Sequence, residues 1–390
     1  MPDKVPDTVP VGAAAAPFLP YGRQEIGDAD IKAVVEALVS GWLTTGPRIA
    51  EFEKAFAAHC GAADGVAVNS GTAALHCAMR ALGIGPGDEV IAPAITFAAS
   101  ANAALYEGAV PVFADVEPDT LLMDPASVAE RITPRTRAIV AVDYGGQPAD
   151  YDALRALARD RNIAIIADAC HSPGATYKGR KAGTLGDISC FSFHPVKHMT
   201  TCEGGMAVTG DTGMAAHMRR FRNHGIDSDH RSREASGAHA YDMAELGYNY
   251  RLPDVQCALG LAQLGRLSGW VAARQSIAAL YDAALAGLAG VTPLKTHGDR
   301  TNAHHLYVVK LAGHLDRDRV FARLRAEGIG ANVHYAPVYL HSYYRARGYA
   351  PGLAPVAEDA SRRILTLPMF PAMTAADVER VTEALTRATA

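Results

Sequence analysis

The stretch IAIIADACHSPGA (163–175) is the part of the chain that decides its fold class. Its first half is a short apolar run that ends in Asp168, and strands buried on both faces of a parallel sheet have this texture. Similar runs alternate with helix-like segments between residues 65 and 210. The alternation predicts an α/β fold with a mainly parallel sheet that is covered by helices on both faces.

Further strands and helices are predicted on both sides of this stretch. The predicted strands are 65–69, 88–94, 110–116, 137–143, 163–169, 188–193 and 205–210. Apolar residues at helical spacing predict helices over 28–41, 49–61, 72–82, 97–108 and 149–162. One long helix is expected to begin near Pro253 and to run to residue 288.

The pattern of predicted strands and helices changes after Val291. Strand, helix, strand and helix are expected over 304–311, 316–330, 331–337 and 374–388, which predicts a smaller α+β C-terminal domain. The expected organisation is a flexible lead-in over 1–17, a large domain over 18–265, and a linker helix with the small domain over 266–390.

The composition excludes several classes of function. A net charge of −4 gives no global attraction for nucleic acid or for an anionic membrane. No segment approaches the ~20 apolar residues that span a bilayer, and the proline-rich start does not resemble a signal peptide. The six scattered cysteines form no C-x-x-C pair, which is typical of reduced thiols. We therefore expect a cytoplasmic protein, and we assign no metal ligands.

Polar residues follow the predicted strands at places where ligands bind in open α/β sheets. NSGTAALH (69–76) opens a helix whose free N–H groups suit a phosphate. Asp168 ends one strand, and Lys197 in FSFHPVKHMTTCEGGM (191–206) follows another. Burial of this lysine would favour the neutral, nucleophilic amine. Taken singly, these residues are more often a helix cap, an ion-pair partner and a surface lysine.

The order of these parts indicates a particular cofactor. Pyridoxal phosphate (PLP) needs a phosphate cradle, an acid opposite its pyridine nitrogen, and a lysine that forms an imine with its aldehyde. The segment GYNYRLPDVQCALGLAQL (247–264) could add a phosphate contact. On its own, however, this segment is more simply the start of a helix, with Pro253 in its first turn.

From about Tyr21 to its end, the chain resembles the DegT/StrS family of nucleotide-sugar aminotransferases, which have the PLP-dependent transferase fold type I. The resemblance is carried, in order, by GWLTTGPR, NSGTAALH, ITFAASAN, ADACHSPGA, FSFHPVKHMTTCEGG, RRFRNHG, GYNYRLPDVQCALGLAQL and VHYAPVY. Any one motif is weak evidence, whereas the ordered set is specific. The resemblance implies an enzyme, with PLP as cofactor and L-glutamate as amino donor.

Site residues follow from the resemblance motif by motif. Lys197 matches the lysine that bonds to the cofactor and moves the substrate proton, and Asp168 matches the carboxylate that keeps the pyridine nitrogen protonated. The other implied cofactor contacts are a stacking ring, a neighbour of the phenolic oxygen and several phosphate contacts: Phe97, His171, Gly71, Thr72, Ser192 and Asn249. The family takes the last of these from the partner subunit, so a homodimer with shared active sites is implied. Suggested sugar-nucleotide contacts are Thr45, Tyr307, His334 and Tyr335.

Local features narrow the resemblance to the C4 aminotransferases of pseudaminic acid synthesis. Asp143 in VDYGG stands where most of the family has His, and His171 stands where many members have Gln. The stretch FSFHPVKHMTT also resembles that subgroup, although His198 and Cys202 depart from it. The implied substrate is a UDP-linked 4-keto-6-deoxy-N-acetylhexosamine.

Three alternatives stay open at this point. The same chemistry could act on another keto-sugar, of the GDP-perosamine or UDP-bacillosamine type. A PLP-dependent sugar dehydratase is a second alternative, but such relatives carry His in place of the lysine. The third is a non-catalytic PLP-binding regulator, and the sequence shows no basic arm or helix-turn-helix that would support it.

Overall fold

The computed structural model describes residues 17–228, 233, 237 and 239–390. All but the last residue of the predicted lead-in over 1–17 therefore lies outside the described residues. In the described ranges, no helix is long and apolar enough to cross a membrane.

A seven-stranded sheet forms the centre of the large domain, with the order β1-β9-β8-β5-β4-β2-β3. Its strands are β1 (Asp64–Val68), β2 (Glu89–Pro93), β3 (Val110–Ala114), β4 (Thr136–Val142), β5 (Ala164–Asp168), β8 (Ile188–Ser192) and β9 (Gly205–Thr209). Strand β9 is antiparallel to both of its neighbours, β1 and β8, whereas β3, β2, β4, β5 and β8 run parallel to one another. The prediction of a mainly parallel α/β sheet is confirmed, and every predicted strand of this sheet is present.

Apolar side chains bury both faces of the sheet, as parallel strands require. Alternate residues of one strand face opposite sides, so that Val90 and Ala92 join one buried cluster while Ile91 joins another. The helices that cover the faces of this domain are Asp28–Val39, Pro47–Cys60, Gly71–Ala81, Ala99–Tyr106, Pro125–Arg131, Tyr151–Ala158 and Thr212–Phe221.

Side-chain caps start many of the helices. Ser70, for example, accepts a hydrogen bond from the backbone N–H of Ala73 and so caps the helix Gly71–Ala81. Equivalent caps come from Asp124, Asp150, Asp211, Asp316 and Thr374. These short polar side chains satisfy N–H groups that have no partner within the helix.

A three-stranded antiparallel sheet forms the small domain, with β11 (Tyr307–Leu311) between β10 (Val291–Pro293) and β12 (Ile364–Leu367). The helices of the C-terminal region are Leu267–Leu285, Arg317–Ala326, Ser342–Arg345, Pro355–Arg363 and Ala375–Thr389. A hairpin, β6 (Thr176–Tyr177) and β7 (Arg180–Lys181), completes the strands of the described residues. The predicted smaller α+β domain is present, whereas its boundary at residue 266 stays a prediction.

Two predictions about secondary structure are wrong. The single helix expected from Pro253 is two helices, Asp254–Leu264 and Leu267–Leu285, because the chain breaks at Gly265 and Arg266. The guanidinium of Arg266 stacks on Trp270 there, 4.5 Å from the ring centroid, and pairs with Asp30. The strand expected over 331–337 is also absent, and the segment makes only one isolated bridge, from Asn332 to Thr366.

Candidate active site

A cavity of about 390 Å³ opens at the carboxyl edge of the parallel strands. Its volume lies within the range of small-molecule sites. It brings together most of the residues that the sequence analysis singled out, namely Gly71, Thr72, Phe97, Asp168, His171, Ser192, Lys197, His334 and Tyr335. Residues that are far apart in sequence meet here because the carboxyl ends of parallel strands share one edge.

Lys197 lies in the connection between β8 and the antiparallel β9. Its amine is 3.4 Å from Nε2 of His305, which lies two residues before β11. Burial lowers the pKa of this lysine, while the nearby Cys170 and Asp168 oppose the shift. A lysine in this setting gives up its proton more readily than one in water, as imine formation requires.

Asp168 ends β5 and is almost fully buried. One carboxylate oxygen accepts a hydrogen bond of 2.6 Å from the Ser100 hydroxyl, and the other accepts one of 3.3 Å from the Cys170 N–H. Both donors are uncharged. A buried carboxylate is stable only when a cation or further donors face it, so this wall of the cavity suits a protonated ring nitrogen.

The start of the helix Gly71–Ala81 forms a second wall. The free N–H groups of its first turn and the Ser192 hydroxyl lie on the same cavity. A side-chain Cβ at Gly71 would lie 2.9 Å from Cβ of Ser192 and 3.3 Å from Sγ of Cys170, so the backbone can approach closely only because this residue is glycine. Free N–H groups at a helix start favour a phosphate.

Aromatic rings and imidazoles line the remaining walls. The ring of Phe97 is 59% exposed and lies 6.2 Å from the ring of Tyr335. Nε2 of His171 is 3.4 Å from the Tyr335 hydroxyl, while its buried Nδ1 has no hydrogen-bond partner within the described part of the chain. This nitrogen could meet an oxygen of a bound group. The carboxylate, the helix start and this imidazole together fit PLP.

His334 lines the cavity with its ring nitrogens already engaged. Nδ1 is 2.8 Å from the Thr366 hydroxyl, and Nε2 is 3.4 Å from the Asn332 amide nitrogen. Burial lowers the pKa of His334 to about 4, so the ring is neutral at pH 7. Its role as a substrate contact stays a prediction.

Three predicted site residues lie elsewhere. The prediction for Tyr307 as a sugar contact is wrong, because it is buried in the small domain, donates a hydrogen bond to Asp282 and stacks on Tyr281 at 4.6 Å. Thr45 lines a different surface cavity, and Asn249 is exposed outside the site. Neither reaches the cavity of its own chain.

Two groups that contact the cavity residues Asp168 and Lys197 were missed by the sequence analysis. Ser100 follows the predicted ring-stacking residue in ITFAASAN and orients Asp168, which its position within that motif could have suggested. His305 contacts Lys197 from the segment just before β11, and nothing in HHLYVVKL beyond the paired histidines signals this. Among the described residues, no cluster of His, Cys, Asp or Glu could hold a metal ion.

Comparisons with known proteins agree with this geometry. Residues 24–386 match the DegT/DnrJ/EryC1/StrS aminotransferase family. The chain is 42% identical over 375 residues to the spore coat polysaccharide biosynthesis protein SpsC of Bacillus subtilis (strain 168), covering 94% of this chain and 96% of that protein.

Solved structures give the same result. The PMP-form of the putative sugar aminotransferase Spr1654 from Streptococcus pneumoniae has a TM-score of 0.90 at 32% identity, covering 95% of this chain and 99% of that one. Its PLP-form has a TM-score of 0.89, with 95% of this chain and 98% of that chain covered. Helicobacter pylori PseC, an aminotransferase of pseudaminic acid biosynthesis, has a TM-score of 0.90 at 30% identity, with 95% and 99% covered.

Proposed function

Because the chain belongs to the DegT/DnrJ/EryC1/StrS aminotransferase family, we propose that it transfers an amino group from L-glutamate to the keto group of a nucleotide-linked sugar. The structural neighbours confirm the predicted α/β fold of the PLP-dependent transferase type I. The PLP and PMP forms of one neighbour confirm PLP as the cofactor of this family. The observation that carries the proposal is the single cavity shared by Lys197, Asp168 and the free helix start at Gly71.

Different residues of the cavity would bind different parts of the cofactor. When bound, PLP supplies an aldehyde that takes up amino groups and a ring that accepts the electrons of a broken C–H bond. The N–H groups of Gly71 and Thr72 and the Ser192 hydroxyl would hold its phosphate. Asp168 would hold the proton on the ring nitrogen, and Phe97 would stack on the ring.

Lys197 has two roles in this proposal. Its amine holds the cofactor between turnovers, and in each half-reaction it takes a proton from one carbon and returns it to another. Burial favours both roles, since it lowers the pKa of the amine towards the pH at which the reaction runs. The presence of this lysine on the cavity wall distinguishes the proposal from a dehydratase, in which histidine takes its place.

The proposed substrate is a UDP-linked 4-keto-6-deoxy-N-acetylhexosamine, as in pseudaminic acid synthesis. The similarity to PseC supports it. So does His171, which stands where many family members have Gln and whose Nδ1 has no hydrogen-bond partner among the described residues. Asp143 supports it only indirectly, because this buried side chain accepts hydrogen bonds from Tyr151 and Ser172 and does not line the cavity.

Turnover of defined keto-sugars tests the substrate. Purified protein with PLP and L-glutamate should convert the UDP-linked 4-keto sugar to the 4-amino sugar, which mass spectrometry of the product detects. Faster turnover of a GDP-linked 4-keto-6-deoxy sugar would establish the perosamine-type alternative. Failure to exchange an amino group between glutamate and PLP would exclude the aminotransferase and favour the regulator.

The active enzyme is proposed to be a homodimer in which Asn249 completes the partner's phosphate site. Asn249 is exposed and lies outside the cavity of its own chain. Large apolar side chains on the helix Asp28–Val39 and just after it are also exposed, with Val39 78% and Leu43 53% accessible. Contiguous apolar surface of this kind marks protein–protein interfaces.

Mixing two inactive variants tests the shared site. If Asn249 acts on the partner's cavity, a heterodimer of Lys197→Ala and Asn249→Ala chains has one intact site, so that a mixture regains about a quarter of wild-type activity. If Asn249 acts within its own chain, the mixture stays as inactive as its components. Light scattering of each variant shows whether dimers form at all.

A further inference from the structure

His305 contacts the reactive lysine from an element that lies far away in sequence. It lies two residues before β11, and its Nε2 is 3.4 Å from Nζ of Lys197. The side chain is 5% exposed and lines the cavity. A hydrogen-bonding group at the reacting amine can control the direction and the charge of that amine.

The surroundings keep this imidazole neutral. Its ring lies 4.4 Å from the ring of His171 and 5.6 Å from the ring of His198. Burial lowers the pKa of all three histidines well below the usual range, and the charge of Lys197 lowers each further. A neutral His305 offers Lys197 a nitrogen lone pair without placing a second positive charge beside it.

Hydrogen bonds to the backbone around His305, and not a second hydrogen bond to its ring, hold this residue in place. Its buried Nδ1 has no hydrogen-bond partner in the ranges that the structure describes. The buried guanidinium of Arg274 donates instead to the carbonyl oxygens of His304, His305 and Met369, at 3.2, 3.4 and 2.9 Å. The peptide that carries His305 is therefore anchored, and the only hydrogen-bond partner of its ring nitrogens among these residues is Lys197.

We propose that His305 is a positioning residue for Lys197. Nε2 of His305 accepts a hydrogen bond from the lysine when the lysine side chain is a free ammonium. This inference rests on the proposed function, in which Lys197 is the reacting amine. Hydrogen bonds from a charged donor are stronger than neutral ones. His305 therefore stabilises the protonated lysine and directs it across the cavity.

The proton balance is simple. The C–H bond of the substrate breaks, its proton joins the lone pair of Nζ, and the resulting ammonium donates to His305 Nε2 with one of its three N–H groups. Another N–H then returns the proton to carbon, which restores the neutral amine. His305 needs its proton on Nδ1 throughout, and it gains and loses none.

The titration of Lys197 in the protein without cofactor tests the contact apart from activity. Lysine labelled with ¹³C at Cε gives a signal that the Lys197→Ala variant assigns. Loss of a hydrogen bond to the ammonium should lower the pKa of Lys197 in His305→Leu by about one unit, which is a tenfold change. The other groups that shift the pKa of this amine are Asp168, Cys170 and Arg274, and none of them is altered in the variant.

Matched variants separate positioning from packing. Because an amide can also accept the hydrogen bond, His305→Gln should keep the lysine pKa near wild type, whereas leucine only fills the space. His304→Leu is the control, since this neighbour carries the same ring and no bond to Lys197 is found for it. An unchanged pKa in His305→Leu, or a raised one, would overturn the proposal.

The half-reaction with L-glutamate gives the second readout. In His305→Leu, the rate should fall about tenfold at an unchanged KM, and the isotope effect for α-deuterated glutamate should rise, because proton transfer is the step affected. His305→Gln should recover most of the rate. If wild-type protein does not react with glutamate at all, the proposed function fails, while the ¹³C titration still decides the role of His305.

Discussion

Two cavities lie at opposite edges of the same sheet, and the larger one is not the candidate site. The cavity at the amino ends of the parallel strands has a volume of about 970 Å³, against about 390 Å³ at the carboxyl ends. Two of the charged side chains on its wall are paired, with Asp187 2.7 Å from Arg155 and Arg137 3.5 Å from Asp88. In the smaller cavity, Asp168 has only neutral donors.

The difference shows what marks a functional site. A charged group that already has its partner has nothing left to offer a ligand, whatever the space around it. The smaller cavity holds a carboxylate, an amine and an imidazole nitrogen whose bonding capacity is not used up within the described chain. Comparable substitutions at the two edges should therefore have different consequences.

Removal of the amine should have the largest effect. Lys197→Ala should lower turnover by about 10⁴-fold or more, since both the covalent bond to the cofactor and the proton transfer are lost. Product mass and the thermal unfolding midpoint measure activity and folding separately. At the other edge, Arg137→Gln should leave turnover unchanged because its ion pair is partly exposed. Comparable residual activity in the two variants would contradict the assignment.

The same substitution of an aspartate at each edge should separate catalysis from stability. Asp168→Asn removes a buried charge that would face the bound ring, which should cost about 3–5 kcal/mol and so roughly 10²–10⁴-fold in turnover. Asp187→Asn breaks its pair with Arg155 and weakens its bond to the N–H of Ile165, so it should lower the unfolding midpoint and spare turnover. Steady-state kinetics and calorimetry of both variants make the comparison.

Adding one methyl group at each edge should affect different properties. Gly71→Ala places a Cβ against Ser192, and strain of about 1–3 kcal/mol should raise the Kd for PLP about 10- to 100-fold. Gly183→Ala, on the wall of the other cavity, places a Cβ against the buried Cys60, which should lower stability with no change in PLP affinity. Absorbance titration with PLP measures the affinity, and equal losses of it would remove the distinction.

The smallest predicted effect concerns a buried acid beneath the candidate site. Burial raises the pKa of Asp143 to about 7. The unfolded chain loses this proton near pH 4, so the folded state loses stability, by up to ~1.4 kcal/mol for each pH unit, as pH rises from 4 to 7. Asp143→Asn should therefore be more stable than wild type by about 1 kcal/mol or more at pH 8, and no more stable at pH 4.

Urea unfolding over this pH range measures the effect. The asparagine can still accept hydrogen bonds from Tyr151 and the Ala149 N–H, so the comparison changes little besides the charge. Parallel stability curves for the two proteins would contradict it. Asp187→Asn should have the opposite effect on stability, because the charge that it removes is paired with Arg155.

The large domain could be predicted in detail because its strands are buried on both faces. A continuous apolar run is a strong signal, and the strand β5 lies within the segment 163–169 that was expected. The small domain was harder. Its third strand is Ile364–Leu367 and not 331–337, because short strands at the edge of a small sheet carry little pattern of their own.

The site could be predicted only where chain order and sheet geometry agree. Asp168 and Lys197 follow neighbouring strands, so their meeting at one edge was foreseeable. His305 reaches the same place from a segment 108 residues further along the chain through tertiary packing, which no local pattern encodes. Tyr307 failed for a related reason, because it sits in β11 with its ring on Tyr281 and its hydroxyl on Asp282.

The reversed strand β9 has a consequence for how the site can diversify. Since β8 and β9 are antiparallel neighbours, the loop bearing Lys197 leaves and re-enters the sheet at one point. Backbone bonds from Phe193 to Gly204 and from Thr201 to Phe193, at 2.8 and 3.0 Å, clasp its base. The lysine is thus rigidly mounted before any ligand arrives. The residues that line the rest of the cavity can therefore change to fit a different sugar without moving the amine of Lys197.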